Sequence, residues 1–304
     1  MISALAAVTL AATSPQAPVP PRVCAVDVHL HAYETDPRLR NRVPNPASGV
    51  PAPPDAATHI RATLDEMRAA GIGAGIVSGT PLSTAEALVK AANGRLRLGY
   101  QINALPTPED LAAIRRLHAA GRLTYIGEVG TPYEGIRYDD PGLEPLWALA
   151  EELDLPVALH SSSGPPEQTY QGHPKARVSS GDPLAIEEAL ARHPRLKVVL
   201  MHMGFPYSDA TVALMNGYPS VYVDIAPFNW AIPSPVFRSY LERLIDYGWE
   251  RRILYGTDAM TWVDAIGSGR RGLEAIPYLT PEQRRLILRD NAVRLFNLTV
   301  PETC

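Results

Sequence analysis

The sequence predicts a single α/β domain, a slightly distorted (β/α)8 TIM barrel with long loops on its C-terminal face. Three observations lead there. From residue 23 onward, short apolar or β-branched runs alternate with longer segments of helical period, eight times without a break. Strands that alternate with helices imply a parallel sheet, because each parallel pairing needs a crossover. Eight such units in about 275 residues fit a closed barrel better than a doubly wound open sheet, the competing arrangement.

Residues 23–31 read as the first strand and 55–71 as its helix. A second strand is expected at 75–79, with a helix over 84–93 that ends on Asn-Gly; Gly71-Ile72-Gly73-Ala74-Gly75 reads as the turn before it. The third strand, 96–103, leads to a helix over 108–121, with Thr107 as N-cap and Pro108 at the favoured first position. The fourth to eighth strands are placed at 124–129, 156–160, 198–203, 221–225 and 253–255. Their helices follow at 143–153, 183–193, 209–216 and 235–247, and then at 272–278 and 282–296. Most αβ turns are tight, whereas the βα connections at 32–54, 161–182, 226–234 and 259–271 are long. In a barrel these lie on the C-terminal rim, where active sites are built.

Bulk composition narrows the function classes. Hydrophobic residues make up 46% of the 304, enough for a sizeable core. A net charge of −4, with no basic run, gives no reason to expect a nucleic-acid partner. The 30 prolines cluster in a few connections, which points to stiffened loops. Residues 1–12 are a short apolar stretch followed by a Pro-rich segment. It is too short to span a bilayer and reads as an export signal with leader over 1–22, ahead of a barrel domain at 23–304. Stable membrane insertion is not expected, and the protein is read as periplasmic or secreted, or cytoplasmic if the stretch is no signal. The two cysteines, Cys24 and Cys304, fit no zinc motif; in an exported protein they could pair and tie the chain ends together.

Six polar residues interrupt strands at or near their C-terminal ends: His29 and His31 in Val-Asp-Val-His-Leu-His, Glu128, His160, His202 and Asp258. Strand side chains alternate faces, so His29 and His31 point the same way, as does Asp27. Two imidazoles on an inward face are poor core residues unless something satisfies their nitrogens. One strand histidine alone is more often a hydrogen-bonded structural residue. Six such residues on one rim point to a divalent metal, Zn²⁺ first and Mn²⁺ second, since His/carboxylate sets suit such ions.

The set Asp27-Val28-His29-Leu30-His31, His160, His202 and Gly256-Thr257-Asp258, with the closing Leu279-Thr280-Pro281-Glu282 and Asn291-Ala292-Val293-Arg294-Leu295-Phe296, resembles the amidohydrolase superfamily, amidohydrolase-related branch. Gly127-Glu128-Val129-Gly130 is also similar to TatD-type deoxyribonucleases, in which a strand-four Glu bridges two metals. The resemblance implies that His29, His31 and Asp258 hold one metal, completed by His160 in a mononuclear site. In a binuclear site His160 and His202 hold a second ion and Glu128 bridges, the arrangement favoured here. It further implies a metal-dependent hydrolase of an amide, ester, lactone or phosphoester, with Asp258 moving protons and His202 facing the substrate. The alternative is a lyase, a non-oxidative decarboxylase or hydratase of the same branch.

Weaker signals complete the reading. Arg38, Arg40 and Arg42 lie in the first loop, where Arg40 is taken as a carboxylate clamp. Trp230 and Trp262 are taken as walls for a small-molecule substrate, and Phe228 sits beside them. Asp224 ends strand seven, either facing the site or making a structural hydrogen bond. Gly267-Ser268-Gly269-Arg270-Arg271-Gly272 lies too far past its strand for a dinucleotide fingerprint and reads as a flexible loop, with an anion site at Arg270 or Arg271 as the sharper alternative. His59, His118 and His193 sit on helices and His173 reads as a surface residue; none needs a special role.

Overall fold

Eight parallel strands pair strictly in chain order: β1 (Ala25–His31), β2 (Ile72–Ser78), β3 (Leu96–Ile102), β4 (Leu123–Val129), β5 (Val157–Leu159), β6 (Val198–Leu200), β7 (Val221–Asp224) and β8 (Ile253–Leu254). The structure is a computed structural model that describes residues 22–33 and 37–304. The apolar stretch and Pro-rich leader up to residue 21 lie outside the described residues. The ring closes through backbone bonds from β1 to the β8 segment. Val28 N–H donates to Tyr255 O at 3.0 Å, Asp258 N–H to His29 O at 2.8 Å and His31 N–H to Ala259 O at 3.1 Å. A slightly distorted (β/α)8 barrel is therefore the observed fold.

Its core has two layers, as a barrel requires. Val26, Val28, Ala74, Ile76, Tyr125, Ala158, Val199 and Leu254 come from six strands and cluster together, which only the barrel interior allows. Ala25, Leu30, Val77, Ile126 and Val223 join the larger layer between strands and helices. Val26 and Val28 thus face inward and Leu30 outward, so the alternation of β1 breaks in between. The register with β2 shifts there too, between the Asp27–Gly75 and Leu30–Val77 pairs. Such a bulge re-aims side chains. It corrects the expectation that Asp27 shares a face with His29 and His31.

Other boundaries moved for physical reasons. β2 begins at Ile72, so the glycine-rich stretch read as a turn is strand. Its Gly73 is required by packing: an added Cβ would lie 2.1 Å from Cys24 Sγ. Cys24 and Cys304 are joined in a disulfide, and the C-terminal tail bridges back to Val23 through Thr303. β6 stops at Leu200, where the chain tightens into a 3-10 turn over Met201–Gly204.

The Gly-x-Gly-x-x-Gly stretch is no loop; it lies within the helix Ala265–Glu274. A Cβ on Gly272 would lie 1.7 Å from Asn229 O, so this helix packs backbone-close onto the short helix Phe228–Ala231. Arg270 is buried and donates to Glu274 Oε1 (2.7 Å) and Val23 O (3.1 Å), a structural tie that removes the anion-site alternative for that residue. The Thr107 N-cap stands as expected, with a full capping box through Asp110 and Pro108 in the first turn. Among the described residues no helix is long and apolar enough to cross a membrane.

Candidate metal centre

The six rim residues do converge. His29, His31, Glu128, His160, His202 and Asp258 are all buried, with exposures between 0% for His29 and 8% for Asp258. His29 Nε2 lies 3.2 Å from His31 Nε2. Asp258 Oδ1 is 3.5 Å from the first and 3.3 Å from the second. Glu128 spans the pocket: its Oε2 lies 3.2 Å from His31 Nε2 and its Oε1 lies 2.5 Å from His160 Nδ1 and 3.4 Å from His202 Nε2. Two of these residues stand on left-handed backbone, His202 at φ 60° and Asp258 at φ 51°. Non-glycine residues there cost about 1–3 kcal/mol each and cluster at functional sites.

Hydrogen bonds fix which imidazole nitrogen faces the pocket. His29 Nδ1 meets Asp224 Oδ2 at 2.7 Å, and His202 Nδ1 meets the Ala226 carbonyl at 2.9 Å. A carbonyl only accepts, so His202 carries its proton on Nδ1 and turns a lone pair at Nε2 inward. Asp224 sets His29 the same way, resolving the open reading of that residue in favour of the site. Its other oxygen accepts from the backbone N–H of His202 (2.9 Å) and Ala226 (3.1 Å). Asp27 lies outside the donor cluster: Thr257 Oγ1 donates to it at 2.5 Å, and burial raises its carboxyl to about 7.

The donors fit a cation. Ligands held about 2.1 Å from one ion in a tetrahedron stand about 3.4 Å apart, the spacing seen among His29, His31 and Asp258. Among the described residues, two groups have ligand atoms within 4.8 Å of one another: His29, His31 and Asp258, and His29, Glu128 and His202. Electrostatics agrees. Burial disfavours charge on Glu128, yet His160 and the other imidazoles hold it well below the usual carboxylate range. Asp258 is likewise lowered, against burial, by His29 and His31. Burial opposes charge on His29 too, but Asp224 and Asp258 raise it well above an ordinary imidazole. The pocket keeps its carboxylates ionised and draws positive charge inward.

The aromatic and cationic residues expected around this cluster are sorted unevenly. Arg40 is exposed at the end of the short helix Pro37–Arg40. Arg38, two residues earlier, packs its guanidinium 5.3 Å over the Trp262 ring, with Nη1 3.7 Å from Met260 Sδ. Trp262 donates to Val43 O (2.9 Å), and Asp264 accepts from Asn45 and Ser48. The first and eighth loops are thereby pinned together over one side of the mouth. Trp230 donates to Thr257 O at 2.6 Å beside Asp258 and packs on the core. His59 is buried and meets Met260 O at 2.5 Å.

Two tyrosines escaped the sequence reading. Tyr33 stacks on His31, with ring centroids 5.5 Å apart and planes 11° from parallel. Tyr133 packs at 4.5 Å on His160 and 4.7 Å on His173, which therefore flanks the site. The signal for Tyr33 was its spacing, two residues past His31.

Residues 26–298 match the profile of the amidohydrolase family. The chain belongs to that family. It is a metal-dependent enzyme, and its histidine–carboxylate cluster has the donors to hold a divalent metal. A γ-resorcylate decarboxylase of Rhizobium radiobacter is 29% identical over 237 residues, covering 64% of this chain and 69% of that protein. A γ-resorcylate decarboxylase of Rhodococcus jostii is 27% identical over 242 residues, with the same coverage. Among solved structures, a dihydroxybenzoic acid decarboxylase of Polaromonas with bound manganese and the inhibitor 2-nitroresorcinol has a TM-score of 0.61 at 19% identity, over 91% of this chain and 97% of that one.

These relatives overturn the hydrolase expectation: the curated proteins that match are decarboxylases. The reason is chemical. Histidine and carboxylate ligands prepare a Lewis acid and do not encode which bond is cleaved. The TatD-type likeness around Glu128 gains no support from these matches.

Proposed function

We propose that the protein is a divalent-metal-dependent, non-oxidative decarboxylase of hydroxylated aromatic carboxylic acids. The observation that carries this is the match to curated γ-resorcylate decarboxylases, 29% and 27% identical over 64% of the chain; within the site, both candidate ligand groups share His29. With Nδ1 engaged by Asp224, His29 has one free lone pair, at Nε2, and one imidazole nitrogen cannot hold two ions. The two groups therefore fit one ion, with His29, common to both, among its ligands. His29, His31 and Asp258 hold that ion, with Glu128, His160 and His202 around it. Mn²⁺ or Zn²⁺ suits these donors, and manganese is the ion in the Polaromonas structure.

When bound, the ion supplies a Lewis acid for the oxygens of the acid substrate. The chain's own residues manage the proton. Loss of carbon dioxide breaks the bond between ring and carboxyl carbon and leaves the electron pair on the ring carbon, which must take up one proton. Asp258, ionised at rest and the most exposed of the six, first takes a proton from water or a substrate hydroxyl and then hands it to the ring carbon. Arg38, held by Trp262 and Met260, is the cation of the first loop placed beside the pocket, and it takes the role first given to Arg40. The test is incubation of the Mn²⁺- or Zn²⁺-loaded protein with 2,6-dihydroxybenzoate and a panel of esters, lactones and phosphoesters. Carbon dioxide and resorcinol are expected; hydrolysis without carbon dioxide release overturns the reading.

The protein is also read as exported. The Cys24–Cys304 disulfide supports an oxidising compartment, since such bonds are rare in a reducing cytosol.

A further inference from the structure

We infer that Tyr33 and Tyr133 form a two-sided slot that recognises the ring hydroxyl groups of the substrate, an assignment that rests on the decarboxylase reading. They leave different strands, one beside His31 and the other beside His160. Tyr33 follows β1 directly and stacks on His31. Tyr133 sits in the 3-10 turn Thr131–Glu134 after β4, with its ring against His160. Each remains part-exposed. Glu128 joins the two supporting imidazoles, with Oε2 3.2 Å from His31 Nε2 and Oε1 2.5 Å from His160 Nδ1, so both rings border the donor cluster.

The chemistry of the slot suits a hydroxylated ring. The cluster already holds two anionic carboxylates, and an acid substrate brings a third. A phenol is an O–H donor at neutral pH and binds an oxygen without adding charge. Its ring also offers a flat face to a planar substrate. The Gln101 side chain reaches Tyr33; its Oε1 is buried with no hydrogen-bond partner among the described residues, while its Nε2 donates to Asn103 Oδ1 at 3.3 Å. An unpaired buried acceptor costs free energy that a substrate hydroxyl would recover. Hydroxyl groups flanking the carboxyl would then meet one acceptor and two donors.

Removal of each hydroxyl tests this while keeping each ring. Tyr33→Phe, Tyr133→Phe and the exposed control Tyr170→Phe are loaded with Mn²⁺ and titrated with 2-nitroresorcinol, with binding followed by absorbance. Melting temperatures verify folding. Each slot variant should bind about 3- to 10-fold more weakly, the range of one neutral hydrogen bond, and the control unchanged. The ratio of KM for 2-hydroxybenzoate to KM for 2,6-dihydroxybenzoate should shrink towards one in the same two variants, which a merely structural role would not produce. If the wild type binds the probe and both variants match it within twofold, the slot is overturned while the decarboxylase reading stands. If the wild type neither binds the probe nor releases carbon dioxide from any acid, both fall together.

Discussion

His29 Nδ1 and Asp224 Oδ2 lie 2.7 Å apart, both fully buried, and the carboxylate reaches across from β7 to orient an imidazole on β1. Asp224 does two things at once. One oxygen fixes the His29 tautomer, and the other holds the backbone of His202 in its left-handed conformation. Partners of this kind change metal affinity by about 10- to 100-fold when removed. Asp224→Asn should therefore weaken binding of Mn²⁺ or Zn²⁺ by that factor, measured by competition with a chromogenic chelator. Wild-type affinity in the variant would show that His29 needs no such support.

How much of this was legible in the sequence depends on the kind of interaction. His29, His31, His160, His202 and Asp258 could be read because each interrupts an apolar strand, and the barrel rule carries such residues to one rim. Asp224 was visible as a strand-ending acid, but its partner is 195 residues away and no local pattern names it. Tyr33 was hidden because a tyrosine after a strand is commonplace. Arg40 was preferred to Arg38 because two arginines two positions apart look alike until a helix turns one toward Trp262 and the other to solvent. The bulge in β1 was illegible, since Val26 and His29 belong to one face only after the register shifts. The reaction was misjudged because the metal ligands are common to both chemistries.

Gly272 tests the packing of the eighth βα segment. A Cβ there meets Asn229 O at 1.7 Å, a backbone atom that cannot swing aside. Gly272→Ala should destabilise by about 1–3 kcal/mol or more, as overpacking does. At about 2–4 °C per kcal/mol for a domain of this size, the melting temperature should drop measurably. Gly217→Ala, where an added Cβ meets nothing within 4 Å, should leave it unchanged or slightly higher. Equal melting temperatures for the two variants would contradict the close approach of the helices.

The disulfide between Cys24 and Cys304 spans a sequence separation of 280 and fastens the tail at the foot of β1. Cross-links that close long loops restrict the unfolded chain most, with typical gains of about 2–4 kcal/mol. Cys304→Ser should lower the midpoint of urea unfolding, and reducing agent should lower it in the wild type but not in the variant. Activity under native conditions should persist, because the bond lies at the opposite end of the barrel from the metal donors. An unchanged midpoint after verified reduction would mean that the Val23–Thr303 bridge and the buried Val300 suffice without it.

Asp258 is the residue on which the proposed chemistry turns. Its backbone is held by the bond from its N–H to His29 O at 2.8 Å, and its carboxylate touches both β1 histidines. Asparagine has the same shape and keeps one oxygen as a weaker, uncharged ligand, so Asp258→Asn should retain the fold and is assayed at saturating metal to offset its lower metal affinity. It cannot carry a proton to carbon. Proton transfer by a positioned group contributes about 100- to 10,000-fold, and kcat for carbon dioxide release should drop within that range. A discriminating check is proton exchange: the wild type should exchange the corresponding ring hydrogen of resorcinol with deuterated water, and the variant should not. If the variant exchanges normally and turns over at a near-normal rate, the proton belongs to another group, with His202 the next to test.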